Sequence, residues 1–338
     1  MKSAITRLGA ISLSCCFLSA VAVAQTFETI DPPDSVSTQT SEVHKGRVVG
    51  TYNRTLSYSF SRLTGYQTFA VPGADSRGTY AKDSDDHGRV TGWFGSTDSR
   101  VRAFVRSPSG AITVFDATKR DSQNTYPFDM NGPGFIVGQY FTVQDSLTTR
   151  GFFRAPNGVT QPIRIPGNEV VIPWAINDAG TIAGFLATAF DTEHKGFIRA
   201  PIGKLTIFAG TPECGLFDST LVMNNKGDVA GICESYNSGF LRRQSGEFQS
   251  INYPGAVGTQ VSGIDADGDV AGLYVDATDF GSHGFIRSAD GTYVSFDFPG
   301  AAPGSTSVSG MDANGDIVGM YYDSDQRQHG FIRYADGN

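Results

Sequence analysis

The chain has 338 residues and a formal charge of −8, with only 18% Asp, Glu, Lys and Arg beside 41 Gly, 24 Phe and 13 Tyr. No basic cluster stands out against that acidic balance, which argues against a nucleic-acid partner. The apolar and aromatic content excludes a disordered chain and suits an all-β protein with many tight turns.

Lys2 and Arg7 precede an apolar run from Leu8 through Phe17 to Val23, which closes on Ala22-Val23-Ala24 before Gln25. This is the layout of a cleaved secretory signal over residues 1–24, so the mature chain is expected to begin at Gln25 and to be secreted or periplasmic. A lipoprotein signal fits less well, because Cys15 stands before Cys16 where a small Gly or Ala belongs. Loss of Lys2 and Arg7 takes the formal charge from −8 to −10. No later apolar run has the roughly 18 residues of a membrane span, so no span is expected in the mature chain. Cys15 and Cys16 leave with the signal, and Cys214 and Cys233 remain as an exported pair expected to form a disulfide.

From Gly46 onward a turn glycine is followed four residues later by a second glycine, seven times: Gly46/Gly50, Gly88/Gly92, Gly134/Gly138, Gly180/Gly184, Gly227/Gly231, Gly268/Gly272 and Gly315/Gly319. The second glycine advances by 41 to 47 residues, a period typical of propeller blades. In the sixth repeat the pattern predicts four strands, at Thr259 to Ile264, Asp269 to Tyr274, His283 to Arg287 and Thr292 to Phe298. Turns at Asp265 to Gly268 and Ala289 to Gly291 join the first to the second and the third to the fourth. The last repeat stops after its third strand, at Phe331 to Arg333 with a turn at Asp336-Gly337. The opening Phe27-Glu28-Thr29-Ile30-Asp31-Pro32 matches the fourth strands at Phe248 to Pro254 and Tyr293 to Pro299. The predicted fold is therefore a single all-β domain over residues 25–338: a seven-bladed β-propeller with four-stranded blades, its last blade closed by the N-terminal strand.

The repeats resemble the HAF family of probable extracellular repeat proteins. The likeness rests on His283-Gly284-Phe285, His329-Gly330-Phe331 and the spaced His194, Gly196 and Phe197 at the start of third strands. It extends to Asn177-Asp178-Ala179-Gly180 and to the Pro-Gly-Ala segments at 72, 254 and 299, and so covers nearly the whole mature chain. Gly stands where the family usually has Ala, and the first three repeats lack the His. The resemblance implies export and repetition and carries over no catalytic residues.

Two positions recur in the repeats. A Phe-x-Arg runs through all seven third strands (Phe60/Arg62, Phe104/Arg106, Phe152/Arg154, Phe197/Arg199, Phe240/Arg242, Phe285/Arg287, Phe331/Arg333), and Asp or Asn ends six first strands (Asp85, Asn131, Asn177, Asn224, Asp265, Asp312). Residues two apart on a strand share a face, so this pattern predicts turn capping or blade linking. Asp265-x-Asp267-Gly268-Asp269 and Asp312-x-Asn314-Gly315-Asp316 are reminiscent of calcium loops but lack a later bidentate Glu, so calcium stays a secondary expectation. His194, His283 and His329 occupy equivalent strands of different blades, too far apart for one zinc with ligands about 2 Å away, so no metal site is expected from them.

A single ligand, if the ring holds one, is expected where repeats differ. First strands that line a channel would bring Tyr80, Lys82 and Asp83, Tyr126 and Asp129, and Trp174 toward its mouth, with Trp93 from the second-to-third-strand loop region beside them; sibling positions hold Ser262, Gly263, Ser309 and Gly310. Tyr80, Lys82, Trp93, Tyr126 and Trp174 are the expected ligand residues, and the expected role is a monomeric, non-catalytic binding or interaction module for an extracellular glycan or protein. The alternatives are aromatics that merely plug the channel, and a hydrolase or lyase using Asp83 and Asp129 as paired carboxylates.

Overall fold

The computed structural model describes residues 26–118, 122–142, 149–168, 170–187, 194–211, 214–233 and 237–335. Residues 1–24, where an export signal is expected, Gln25, and 336–337, where a turn is expected, lie outside the described residues. These residues form 28 strands: β1 (Thr26–Ile30), β2 (Thr38–His44), β3 (Arg47–Tyr52), β4 (Leu56–Ser61), β5 (Gly65–Phe69), β6 (Ala74–Ser84), β7 (Val90–Ser96), β8 (Val101–Arg106), β9 (Ile112–Phe115), β10 (Ser122–Met130), β11 (Ile136–Thr142), β12 (Arg150–Arg154), β13 (Thr160–Ile163), β14 (Val170–Ile176), β15 (Ile182–Ala187), β16 (Lys195–Arg199), β17 (Leu205–Phe208), β18 (Leu216–Met223), β19 (Val229–Cys233), β20 (Gly239–Arg242), β21 (Phe248–Ile251), β22 (Ala256–Ile264), β23 (Val270–Asp276), β24 (Ser282–Arg287), β25 (Tyr293–Phe296), β26 (Ser307–Met311), β27 (Ile317–Tyr322) and β28 (Gln328–Tyr334). No helix among the described residues is long and apolar enough to cross a membrane.

Consecutive strands pair antiparallel in fours. β2–β5, β14–β17, β18–β21 and β22–β25 are separate sheets. β6–β9 and β10–β13 are two such units joined by one parallel bridge, between Asn124 and Val101. β26, β27 and β28 take β1 as their fourth strand, with Ile30 opposite Gly330 and Phe27 opposite Arg333. First strands pack against one another from unit to unit: β6 against β2 and β10, β14 against β10 and β18, β22 against β18 and β26, and β26 against β2.

The glycine pairs answer two different physical needs. Gly268 sits at φ +94° in the turn after β22, a conformation L side chains avoid. Gly272 has ordinary φ, but a Cβ there would stand 1.9 Å from the Gln260 carbonyl oxygen and 3.0 Å from the Phe285 ring. That ring, fully buried, comes from the third strand directly opposite. In the first unit the residue opposite Gly50 is Tyr58, not Phe60. The Phe60/Arg62 reading is thus two residues out of register, and an aromatic ring over the glycine is the feature the seven units share.

The Asp/Asn and Arg positions do separate jobs. Asn131, Asn177 and Asn224 each donate from Nδ2 to the carbonyl of Asn177, Asn224 and Asp265, at 2.8, 3.4 and 3.0 Å, linking one unit's turn to the next. Asp265 has no such donor; its Oδ1 accepts the N–H groups of Asp267, Gly268 and Asp269 at 2.8–2.9 Å. The arginines reach the other way. Arg106 lies over Phe69, Arg154 over Phe115, Arg242 over Phe208 and Arg333 over Phe296, each ring belonging to the outer strand of the preceding unit.

Cys214 and Cys233 form a disulfide with Cα atoms 4.9 Å apart, tying the approach to β18 to the end of β19.

Candidate functional site

Six first strands carry a bulge opposite the second glycine of their pair. In β6 the register slips between Ala81 and Asp83, in β10 between Pro127 and Asp129, and in β14 between Pro173 and Ala175. β2, β22 and β26 slip at the equivalent step. The extra residues are Ser41, Lys82, Phe128, Trp174, Ser262 and Ser309, and a bulge re-aims the side chains around it. β18 keeps its register there, Leu221 and Val222 opposing Gly231 and Ala230.

The residue after each bulge is Glu42, Asp83, Asp129, Ala175, Gly263 or Gly310. Asp83 accepts the Met130 N–H at 2.7 Å and the Ser84 N–H at 2.6 Å; Asp129 accepts the Ile176 N–H at 2.6 Å. Each carboxyl therefore holds the first strand of the following unit. The two also hydrogen-bond each other, and burial, reinforced by Asp129 and Glu42, pushes Asp83 well above the usual carboxylate range. Burial raises Asp129 as well, while the Asp83 side chain, the Ile176 and Met130 N–H groups and Lys82 draw it down. Glu42 is pushed up to about 8 by burial, against the pull of Lys82. Asp83 and Asp129 thus come together, but their oxygens are engaged with backbone N–H groups and each other.

The aromatic candidates fall into two groups. Tyr80 faces Trp93 across the β6–β7 pair and stacks on it at 4.0 Å between centroids; Trp93 meets Tyr126 edge-on at 5.6 Å. Trp93 is therefore a residue of strand β7, not of the loop that follows. Trp174 stacks instead on Phe128, 4.2 Å away and 8° from parallel. Phe128, which sequence reasoning missed, is detectable only through the bulge that makes it the counterpart of Lys82 and Trp174. All five rings are half-buried.

The histidines act as cross-strand clasps. His283 bonds Asp297 at 3.0 Å, and His329 lies between Asp31 at 2.6 Å and Asp323 at 3.0 Å. Burial opposes a charge on His329, but the two carboxylates outweigh it and raise its pKa. No three His, Cys, Asp or Glu side chains converge as metal ligands among the described residues. Two surface clefts lie elsewhere, one of about 510 Å³ beside β12 and β13, the other of about 570 Å³ beside the turns of the units β14–β17 and β18–β21.

No protein-family profile matches this chain, and neither does any curated protein. Solved structures do match over nearly its whole length. Virginiamycin B lyase from Staphylococcus aureus is similar with a TM-score of 0.61 at 12% identity, covering 91% of this chain and 99% of that one. Streptogramin B lyase gives 0.59 at 14% identity over 91% and 97%, and YCF48 bound to D1 peptide gives 0.55 at 9% over 91% and 94%. The fold is that of a β-propeller. At such identities the likeness carries architecture alone, and a propeller's function has to be argued from its own side chains.

Proposed function

We propose that this chain is an exported, monomeric seven-bladed propeller, its last blade closed by β1, that binds an extracellular glycan or protein at one end of its first strands. The ring reading is supported by the unit-to-unit packing of first strands, which runs from β2 through β26 and back to β2. Tyr80, Trp93 and Tyr126 with Lys82, and Trp174 with Phe128, supply the contact surface. The observation that carries the proposal is asymmetry: aromatic rings gather on β6, β7, β10 and β14, whereas β22 and β26 offer Ser262, Gly263, Ser309 and Gly310 at the matching steps. Half-buried rings beside a lysine suit the apolar face and hydroxyl rim of a sugar, or an aromatic-rich peptide.

The hydrolase or lyase alternative has less support from the geometry. A general acid or base must present its proton or lone pair to a substrate, and Asp83 and Asp129 direct theirs to Met130, Ser84, Ile176 and each other. A thermal-shift screen of residues 25–338 against neutral glycans tests the proposal. A hit abolished by Trp93→Ala, with the variant still folded by circular dichroism, supports it. Hits that survive both Trp93→Ala and Trp174→Ala would place the ligand elsewhere.

A further inference from the structure

In three units the second residue of the third strand faces the residue that follows the fourth, and the two are joined by charge. Arg102 meets Asp116 at 2.9 Å, His283 meets Asp297 at 3.0 Å, and His329 meets Asp31 at 2.6 Å. Each pair lies one step beyond the end of its ladder, next to Ala103–Phe115, Gly284–Phe296 and Gly330–Ile30. The same step beyond Gly151–Ile163 brings Arg150 opposite Arg164. This unit carries two guanidinium groups where its siblings carry a cation and a carboxylate.

The other units do not repeat this. Counted the same way, they place Leu56 opposite Ala70, Lys195 opposite Ala209 and Ser238 opposite Asn252. Like charges directly opposite on a sheet destabilise it, so stability gives no reason for the arginine pair. Two observations point to a ligand. Arg150 Nε is buried with no hydrogen-bond partner, and both arginines line the cleft of about 510 Å³, among whose described lining residues there is no carboxylate. Tyr140, opposite Arg150, forms part of its wall together with Asn168.

We propose that Arg150 and Arg164 form an oxyanion subsite that takes a carboxylate, sulfate or phosphate group of a bound ligand in the place the sibling units fill with their own aspartate. Planar guanidinium groups match such anions with paired hydrogen bonds. The inference is independent of the aromatic site, and its test uses no neutral sugar.

The melting temperature of residues 25–338 is measured with inorganic sulfate at a few millimolar, ionic strength held constant with chloride, and separately with trigalacturonate. The subsite predicts a rise of about 2 °C or more with at least one of them, the responding probe assigning the anion class. Arg164→Asp, which rebuilds the pairing of Arg102 with Asp116, should melt above wild type without added anion and lose the response; Arg150→Gln should lose the response as well. No response from wild type to either probe, or an undiminished response in Arg164→Asp, overturns the proposal.

Discussion

Replacing Phe27 and Ile30 together by alanine removes the apolar grip of β1 while leaving its backbone free to pair. Ile30 is fully buried in the cluster containing Val43, Val48 and Ile332, and Phe27 packs on Phe296, Phe298 and Phe331 with centroids 5.7 to 6.2 Å apart. Truncating a buried isoleucine costs about 2–5 kcal/mol, and losing a half-buried phenylalanine adds about 1–3 kcal/mol. A domain of this size loses about 2 °C of melting temperature per kcal/mol, so the double variant should melt about 6–16 °C below wild type. Differential scanning calorimetry reads this directly. A shift under 2 °C would mean that β1 does not complete the sheet of β26–β28 in solution, and the ring reading would lose its closure.

Gly272→Ala should be among the most damaging single-methyl additions in the chain, because the Gln260 carbonyl and the Phe285 ring leave no room; soluble yield and melting temperature should both collapse, whereas Gly291→Ala, in an exposed turn, should fold at moderate cost. Cys214→Ser with Cys233→Ser opens a loop of 19 residues' separation and should cost about 3 kcal/mol, seen as a lower urea midpoint under non-reducing conditions only. Glu42 keeps its proton in the folded state from its ordinary 4.5 up to about 8, so across that window the folded state holds more protons than the unfolded state and stability falls as pH rises. Glu42→Gln should flatten this part of the pH–stability curve, and an unaltered slope would show that Glu42 does not titrate there.

The architecture was legible because the glycine period reports two strict backbone demands, positive φ in the turn and no Cβ beneath an aromatic ring, and few residues can meet them. Register was less legible. Phe60/Arg62 mimics the repeat motif, but Tyr58 takes the ring position, since what selects the residue is the partner Gly50 across the sheet. For the site, Tyr80, Tyr126, Asp83 and Asp129 could be named from asymmetry alone. Their roles could not: that Asp83 and Asp129 carry N–H groups of the following units depends on contacts 47 residues away, and that Trp174 stacks on Phe128 depends on a bulge. The Arg150–Arg164 pair was invisible in the sequence because opposition across strands becomes apparent only once registers are known.

The most direct test of the binding reading is calorimetric titration of the screened glycan into wild type, Trp93→Ala and Asp83→Asn/Asp129→Asn, with product analysis of the same mixtures. Saturable binding lost in Trp93→Ala, retained in the double Asn variant and leaving the glycan intact is the predicted result. Cleavage by wild type that the double Asn variant abolishes would contradict it and make the carboxyl pair an active site.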